Sequence, residues 1–548
     1  MNFLQKALPL ALCCVSLITA AAERKKIVAT GFSSLTPKQL LQHQETMEQY
    51  CPIDGICLHF DIRKTINGKE HTIYRHSIFS GLKWERSFFD EDVAALKQVK
   101  FKKWTDNFVY MATTKCNFGL FDDAAWETVF NNVGILAQVA KECGLKGIFM
   151  DIEHYGGDKY HPIFQYDPAS GKTFEESYAK ARQRGRQMIQ AMTRHFPDIR
   201  IIAVLGTYAI NFPSLASADL KEDLKNQMYG LSPAFFDGMF EKLPPQAKLY
   251  DGTELVGYTS SLRTDYYKIV NDHYTLTPKL AAPELWQKIL LQSGIAIPFY
   301  LDAYYNTKGF WQVKSPLMER MPLFRRNLHH ALNASAEYVW LYYETPAKWW
   351  PFTMLPYYEN AHKRAGGGKA RLWPEILPGL FDAIDAARDP LSYAKKQFAA
   401  GKAKTVWKAD FENGKVGLNV WLSGKKGTVT VTPEKHAKFS GVTFGSMYSN
   451  RIPVKAGELY LVRAKVKHEN GITPGLSMHF YTNKGQKVLE QTERPSVAFT
   501  EPLADGWKMA LFAIFIPDEA EKIEIHAGVR SYHGKTALFD DMEFFLIP

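Results

Sequence analysis

The stretch Gly144-Leu-Lys-Gly-Ile-Phe-Met-Asp-Ile-Glu-His-Tyr-Gly-Gly157 decides how the chain is read. It is a short apolar run that closes in two carboxylates, Asp151 and Glu153, followed by aromatic and glycine residues. Side chains two apart on a strand share a face, separated by roughly 6–7 Å of rise. Asp151 and Glu153 are therefore expected to point the same way at the carboxyl end of a buried strand. Parallel α/β barrels build their active sites at that end, and paired carboxylates are the usual machinery of glycosidic bond cleavage.

Outward from this strand, short apolar runs alternate with longer amphipathic stretches. The runs lie at 27–32, 53–60, 108–113, 147–152, 201–205, 248–250, 297–301 and 338–343. Helical patterns such as 124–143 and 174–195 lie between them, the second stopping at Phe196-Pro197, as a helix must before proline. Eight strands over roughly 320 residues fit a (β/α)8 barrel with inserted loops. Past Lys402 the texture changes to alternating, β-branched segments broken by Gly, Pro, Asn and Asp, the pattern of an antiparallel sandwich. The fold class expected is α/β, a (β/α)8 TIM barrel followed by an all-β jelly-roll sandwich. The boundaries are a leader over 1–22, a barrel over 23–390, a connector over 391–404 and a sandwich over 405–548.

The leader has Lys6, an apolar run over 7–20 and small residues at Ala20-Ala21-Ala22, which reads as a secretory signal too short to span a bilayer. The product is expected to be secreted or periplasmic, with no stable membrane span. Cys51, Cys57, Cys116 and Cys143 are scattered and read as free core thiols rather than a disulfide scaffold. The 46% hydrophobic and 23% charged residues describe a globular protein. The formal charge of +10 is dispersed, which argues against a nucleic-acid partner. A polysaccharide or glycan is the expected partner; the basic balance reads first as solvated surface, with an anionic polysaccharide as its alternative meaning. No cofactor is expected for catalysis.

Acids and aromatics recur at the other strand ends. His59 and Asp61 share a face; Tyr250-Asp251-Gly-Thr-Glu254 ends the sixth strand; Asp302 and Tyr304 share a face after the seventh; Trp340 and Glu344 do so on the eighth. A glycosidase needs one carboxyl with a raised pKa to protonate the leaving oxygen and a second, ionised one. Glu153 is the expected proton donor, with Asp151 raising its pKa through like charge. Asp302, Glu344 and Glu254 all qualify for the second role. Substrate contacts are expected from His59, Asp61, Tyr155, Tyr250, Asp251, Tyr304, Trp340 and Trp349. A non-catalytic glycan-binding protein with a degenerate barrel is the alternative.

The Gly-Ile-Phe-Met-Asp-Ile-Glu, Tyr-Asp-Gly-Thr-Glu and Trp-Leu-Tyr-Tyr-Glu segments resemble those of secreted glycoside-hydrolase-type TIM barrels. The Asp-x-Glu ending is distantly similar to that of substrate-assisted chitinases, in which an Asp orients the substrate acetamide, a Glu donates the proton and a Tyr-Asp pair sits on the sixth strand. Asp151, Glu153, Tyr250 and Asp251 match that outline, while Phe149 stands where that family has another Asp. The C-terminal segments Asp410-Phe-Glu-Asn-Gly414 and Ala537-Leu-Phe-Asp-Asp-Met542 resemble the ends of jelly-roll carbohydrate-binding modules. That resemblance implies a structural calcium held by Asp410, Glu412 and Asp541, and a sugar platform from Trp421, Tyr448, Tyr481 and Tyr532.

Overall fold

The computed structural model describes residues 24–31, 35–114, 116–155, 160–206, 220–305, 312–313, 319–343, 347–348, 371–488, 496–531 and 535–548. The leader over 1–22 lies outside them. The N-terminal part is a nine-stranded, all-parallel sheet that curls into a nearly closed, barrel-like wall. Its strands are β1 (Lys26–Ala29), β2 (Gly55–Leu58), β5 (Phe108–Ala112), β6 (Gly147–Asp151), β7 (Arg200–Ala203), β8 (Lys248–Asp251), β9 (Ser293–Ile295), β10 (Ile297–Tyr300) and β11 (Tyr338–Tyr342). Between β2 and β5 the chain inserts a hairpin, β3 (Ile62–Ile66) and β4 (Lys69–Ile73).

The order β10-β11-β1-β2-β5-β6-β7-β8-β9 leaves β9 and β10 as its two ends. Only Ala296 separates those strands in the chain. The amide of Ala296 donates to Asp251 O on one side, and that of Ala336 donates to Ile295 O on the other, each at 2.8 Å. Each of the eight runs read from the sequence carries one of these strands, and β9 is the addition. Helices such as Asp123–Glu142, Phe174–Thr193 and Arg320–Ala334 cover the outside. They start where the side chains dictate. Asp122 accepts from the Ala125 amide, and Thr173 and Glu176 form a reciprocal capping box.

Barrel interiors are usually filled by branched aliphatic side chains, but aromatic rings fill this one. Phe108 and Tyr250 pack edge-on against Tyr338 at 5.3 Å. Above them, Phe149 contacts Tyr110 at 5.4 Å and Trp340 at 5.3 Å. The fully buried Trp340 donates its indole N–H to both Gly252 O, at 3.1 Å, and Ala296 O, at 2.9 Å.

The C-terminal part is an antiparallel β-sandwich of a seven-stranded and a six-stranded sheet. The stretch read as a connector carries helix Pro390–Ala399, and the first sandwich strand is Lys404–Ala409. The seven-stranded sheet docks its outer face, through Leu459, Leu461, Phe515, Phe545 and Ile547, on Ala386, Tyr393 and Ala394. Arg326 pairs with Asp518, and Arg325 donates to Pro548 O at 3.0 Å. The four cysteines among the described residues are unbridged, with Cys51, Cys57 and Cys116 buried. Among the described residues no helix is long and apolar enough to cross a membrane.

Trp340→Phe leaves the Gly252 and Ala296 carbonyls without their shared donor. Stability is expected to fall by about 1–3 kcal/mol, read as a lower urea midpoint at unchanged slope. An unchanged midpoint would contradict this account of the barrel floor.

Candidate functional site

Asp151 is the last residue of β6 and is buried at the carboxyl end of the sheet. The Tyr110 hydroxyl donates to one of its oxygens at 2.6 Å, and the Glu153 amide donates to the other at 2.8 Å. Burial raises its pKa, opposed by the Tyr110 and Glu153 hydrogen bonds and by the nearby Arg75 charge. Arg75, just past the hairpin, stands 4.9 Å over the Tyr110 ring.

Glu153 lies two residues beyond Asp151 and is half-buried. Its carboxyl shares a side-chain hydrogen bond with Glu254 and accepts another from the Tyr155 hydroxyl. Burial first, then the charges of Asp151 and Glu254, push its pKa up to about 9. At neutral pH Glu153 therefore holds a proton. Glu254 opens the short helix Glu254–Gly257 after β8 and is itself buried. Tyr258, one helical turn on, donates to its carboxyl at 2.5 Å.

Tyrosine rings frame this acid group. Tyr258 stacks on Tyr300 at 4.7 Å and on Tyr342 at 5.8 Å, and meets Trp340 edge-on at 5.9 Å. Gly31, with φ of +91°, makes room for Tyr342, since a Cβ there would sit 2.9 Å from that ring. His59 is buried, and burial together with the Arg75 charge lowers its pKa to about 3, so it is neutral.

The structure thus brings Asp151, Glu153, Glu254 and Tyr155 together, with Trp340 buried beneath the tyrosine trio. Other residues singled out by sequence lie elsewhere. Tyr250 is at the opposite end of the interior, its hydroxyl on Glu337. Asp251 faces out of the sheet, where it accepts from the amides of Gly206 and Thr253 and lines a small cavity with His273 and Asp237. The Tyr-Asp pair of the chitinase outline is therefore not at the acid cluster. Past Tyr300 the chain turns into helix Leu301–Tyr305 instead of continuing the strand. Asp302 is buried in that helix, and Tyr304 packs on Phe299 and Phe324 and accepts from Asn327 at 2.9 Å. Asp61 is exposed beside the hairpin. Glu344 and Trp349 lie outside the described residues.

Sequence reading missed Tyr110, Tyr258 and Arg75. The alternation along β5 places Tyr110 on the inner face with Phe108, so it was findable. Tyr258 sits four residues after Glu254, the spacing of one helical turn. Nothing local to Arg75 signals its placement.

In the sandwich, Asp410 is paired with Lys408 at 2.6 Å and Asp541 with Lys465. The six-stranded sheet carries an open cleft of about 820 Å³ lined by Trp421, Phe444, Tyr448, Tyr481 and Arg530 among others. Trp421 and Phe444, 49% and 47% exposed, meet edge-on at 5.4 Å. Tyr532 lies outside the described residues.

No protein-family model and no curated protein matches this chain. Among solved structures it is similar to the enzymatically active domain of tailspike protein 4 of bacteriophage CBA120. That match has 18% identity over 25% of this chain and 21% of the other, with a TM-score of 0.20. It is also similar to TmCBM61 in complex with beta-1,4-galactotriose, at 21% identity over 26% of this chain and 99% of that one, TM-score 0.20. A third is the Clostridium thermocellum N-terminal endo-1,4-beta-D-xylanase 10B complexed with xylohexaose, at 16% identity over 26% and 29%, TM-score 0.20.

The raised pKa of Glu153 has a consequence for stability. Its ordinary value is 4.5 and its folded value about 9, so between those pH values the folded state holds the extra proton. The contribution of this group is complete below about pH 4.5 and is lost as pH rises toward 9. Glu153→Gln removes the titration. The melting temperature of the variant relative to the wild type is expected to climb from pH 5 to pH 9, and a constant offset across that range would show that the pKa is ordinary.

Proposed function

We propose that this chain is an exported glycoside hydrolase with a (β/α)8 barrel as its catalytic part and the sandwich as a glycan-binding module. In this reading β9 and β10 are the two halves of the seventh strand, interrupted at Ala296, and the eight-strand circuit closes through them. The observation that carries the activity is the hydrogen-bonded Glu153–Glu254 pair, one carboxyl kept protonated and both framed by tyrosines at the carboxyl end of the strands. Glu153 gives its proton to the leaving glycosidic oxygen, and Glu254, held by Tyr258, attacks the anomeric carbon. The glycosyl ester is then opened by a water whose proton returns to Glu153.

Retaining enzymes hold their two carboxyls about 5–5.5 Å apart and inverting ones roughly 6.5–9.5 Å; the Glu153–Glu254 pair is on the short side of both, so the anomeric configuration is expected to be retained. Asp151 positions the backbone of Glu153 and raises its pKa. The tyrosine trio offers flat faces of the kind that stack on sugar rings. The aromatic cleft on the six-stranded sheet supports the binding role of the sandwich.

A panel of neutral and anionic polysaccharides with product analysis tests the reading. Glu153→Gln and Glu254→Gln are each expected to lower turnover by roughly 10²–10⁴-fold, and the first-formed product should keep the anomeric configuration of the substrate by NMR. Wild-type turnover matched by Glu153→Gln would remove Glu153 as the acid; glycan binding without cleavage of any panel member would favour a purely binding role. For the sandwich, Trp421→Ala is expected to weaken retention on an insoluble glycan while leaving turnover of short soluble substrates unchanged.

A further inference from the structure

On the floor of the sandwich cleft, two histidines and a glutamate converge from neighbouring strands. Strand Ile472–Tyr481 pairs antiparallel with strand Lys522–Ser531, with His479 opposite Glu524 and Ser477 opposite His526. Positions two apart share a face, so His479, Glu524 and His526 all rise into the cleft, which they line. Their ligand atoms lie within 4.8 Å of one another, and this is the only such group of three among the described residues.

We propose that His479, Glu524 and His526 bind a divalent transition metal, zinc being the ion their chemistry suits best. Two imidazoles and one carboxylate form a zinc donor set that leaves a fourth position open. The Nε2 of His526 stands 3.3 Å from Oε2 of Glu524. Bonds of about 2.0–2.1 Å at a tetrahedral angle separate donors by roughly 3.3–3.4 Å, so this pair is already spaced as two ligands of one ion. The His479 and His526 rings have centroids 4.1 Å apart.

The surroundings fix the ligands as well as the spacing. Tyr448 stacks flat on the His526 ring at 4.7 Å and 10°. The Tyr481 hydroxyl donates to Oε2 of Glu524 at 2.6 Å, orienting the carboxylate. Two cations share the neighbourhood. Arg451 engages the other Glu524 oxygen at 3.3 Å, and Lys487 Nζ lies 3.3 Å from Nδ1 of His479. The open position faces the cleft, where an oxygen ligand such as a vicinal diol or a carboxylate would meet it.

Tag-free, full-length protein stripped with a chelator, equilibrated with zinc chloride and dialysed provides the test, with bound metal measured by mass spectrometry. About one zinc per chain is expected for the wild type, falling several-fold in His479→Gln and in Glu524→Gln. His479→Gln leaves the Tyr448–His526 stack in place, so unaltered circular dichroism should accompany the loss. Cobalt(II) in place of zinc should give visible absorption of a tetrahedral site that both variants abolish. The proposal fails if the wild type retains no zinc, or if both variants retain as much as the wild type. It also fails if Glu153→Gln, and not the sandwich variants, removes the metal.

Discussion

Three carboxyl groups withdrawn from water at one mouth of the sheet set the terms for the rest of this structure. A buried, isolated carboxylate costs several kcal/mol, and Asp151, Glu153 and Glu254 lie within interaction range of each other. Each is met by one tyrosine hydroxyl: Tyr110 on Asp151, Tyr155 on Glu153 and Tyr258 on Glu254. A hydrogen bond to a charged group offsets about 1.5–3 kcal/mol, less than the cost of withdrawing that charge from water. Burial and the charges of both other acids raise the pKa of Glu153, which keeps its proton at neutral pH.

The aromatic interior follows from the same demand. Tyr110, Phe149 and Trp340 form a floor that keeps water from reaching the acids from below, and the low dielectric they create sharpens every charge effect above them. The double hydrogen bond from the Trp340 indole ties the loops after β8 and β9 to one ring, which fixes where Glu254 leaves the sheet. Arg75 arrives from the hairpin insertion and brings positive charge close enough to temper the raised pKa of Asp151.

The positions of the strands were legible in the sequence because apolar runs closed by acids are a local pattern, and the site strand was legible for the same reason. Glu153 and Asp151 stood out because two acids ended a buried run. What failed was the assumption that a strand continues as far as its alternation: the turn into helix at Leu301 sends Tyr304 among the outer helices, and the pleat that points Tyr250 inward points Asp251 outward. The choice among Asp302, Glu344 and Glu254 depended on where three loops end in space, which no local pattern encodes. The hairpin was available from Asn67-Gly68, whose φ angles of 50° and 75° suit the tight turns that this dipeptide favours, whereas the placement of Arg75 beyond it is a tertiary fact.

The sandwich strands explain a further irregularity of the sequence. In the run Leu459-Tyr-Leu-Val462, residues of both phases are apolar, although an antiparallel sheet with one wet face should alternate. Tyr460 and Val462 enter the sandwich core, while Leu459 and Leu461 sit on the helices that follow the barrel. The same division separates Phe544 from Phe545. Both faces of that sheet are dry, so the alternation is erased where docking occurs. The six-stranded sheet keeps its outer face wet, and there the exposed Trp421 and Phe444 stand beside charged and histidine side chains. Docking through one sheet therefore leaves the other free, and Trp421 and Phe444 stand exposed in its cleft, away from the contact with the barrel-like part.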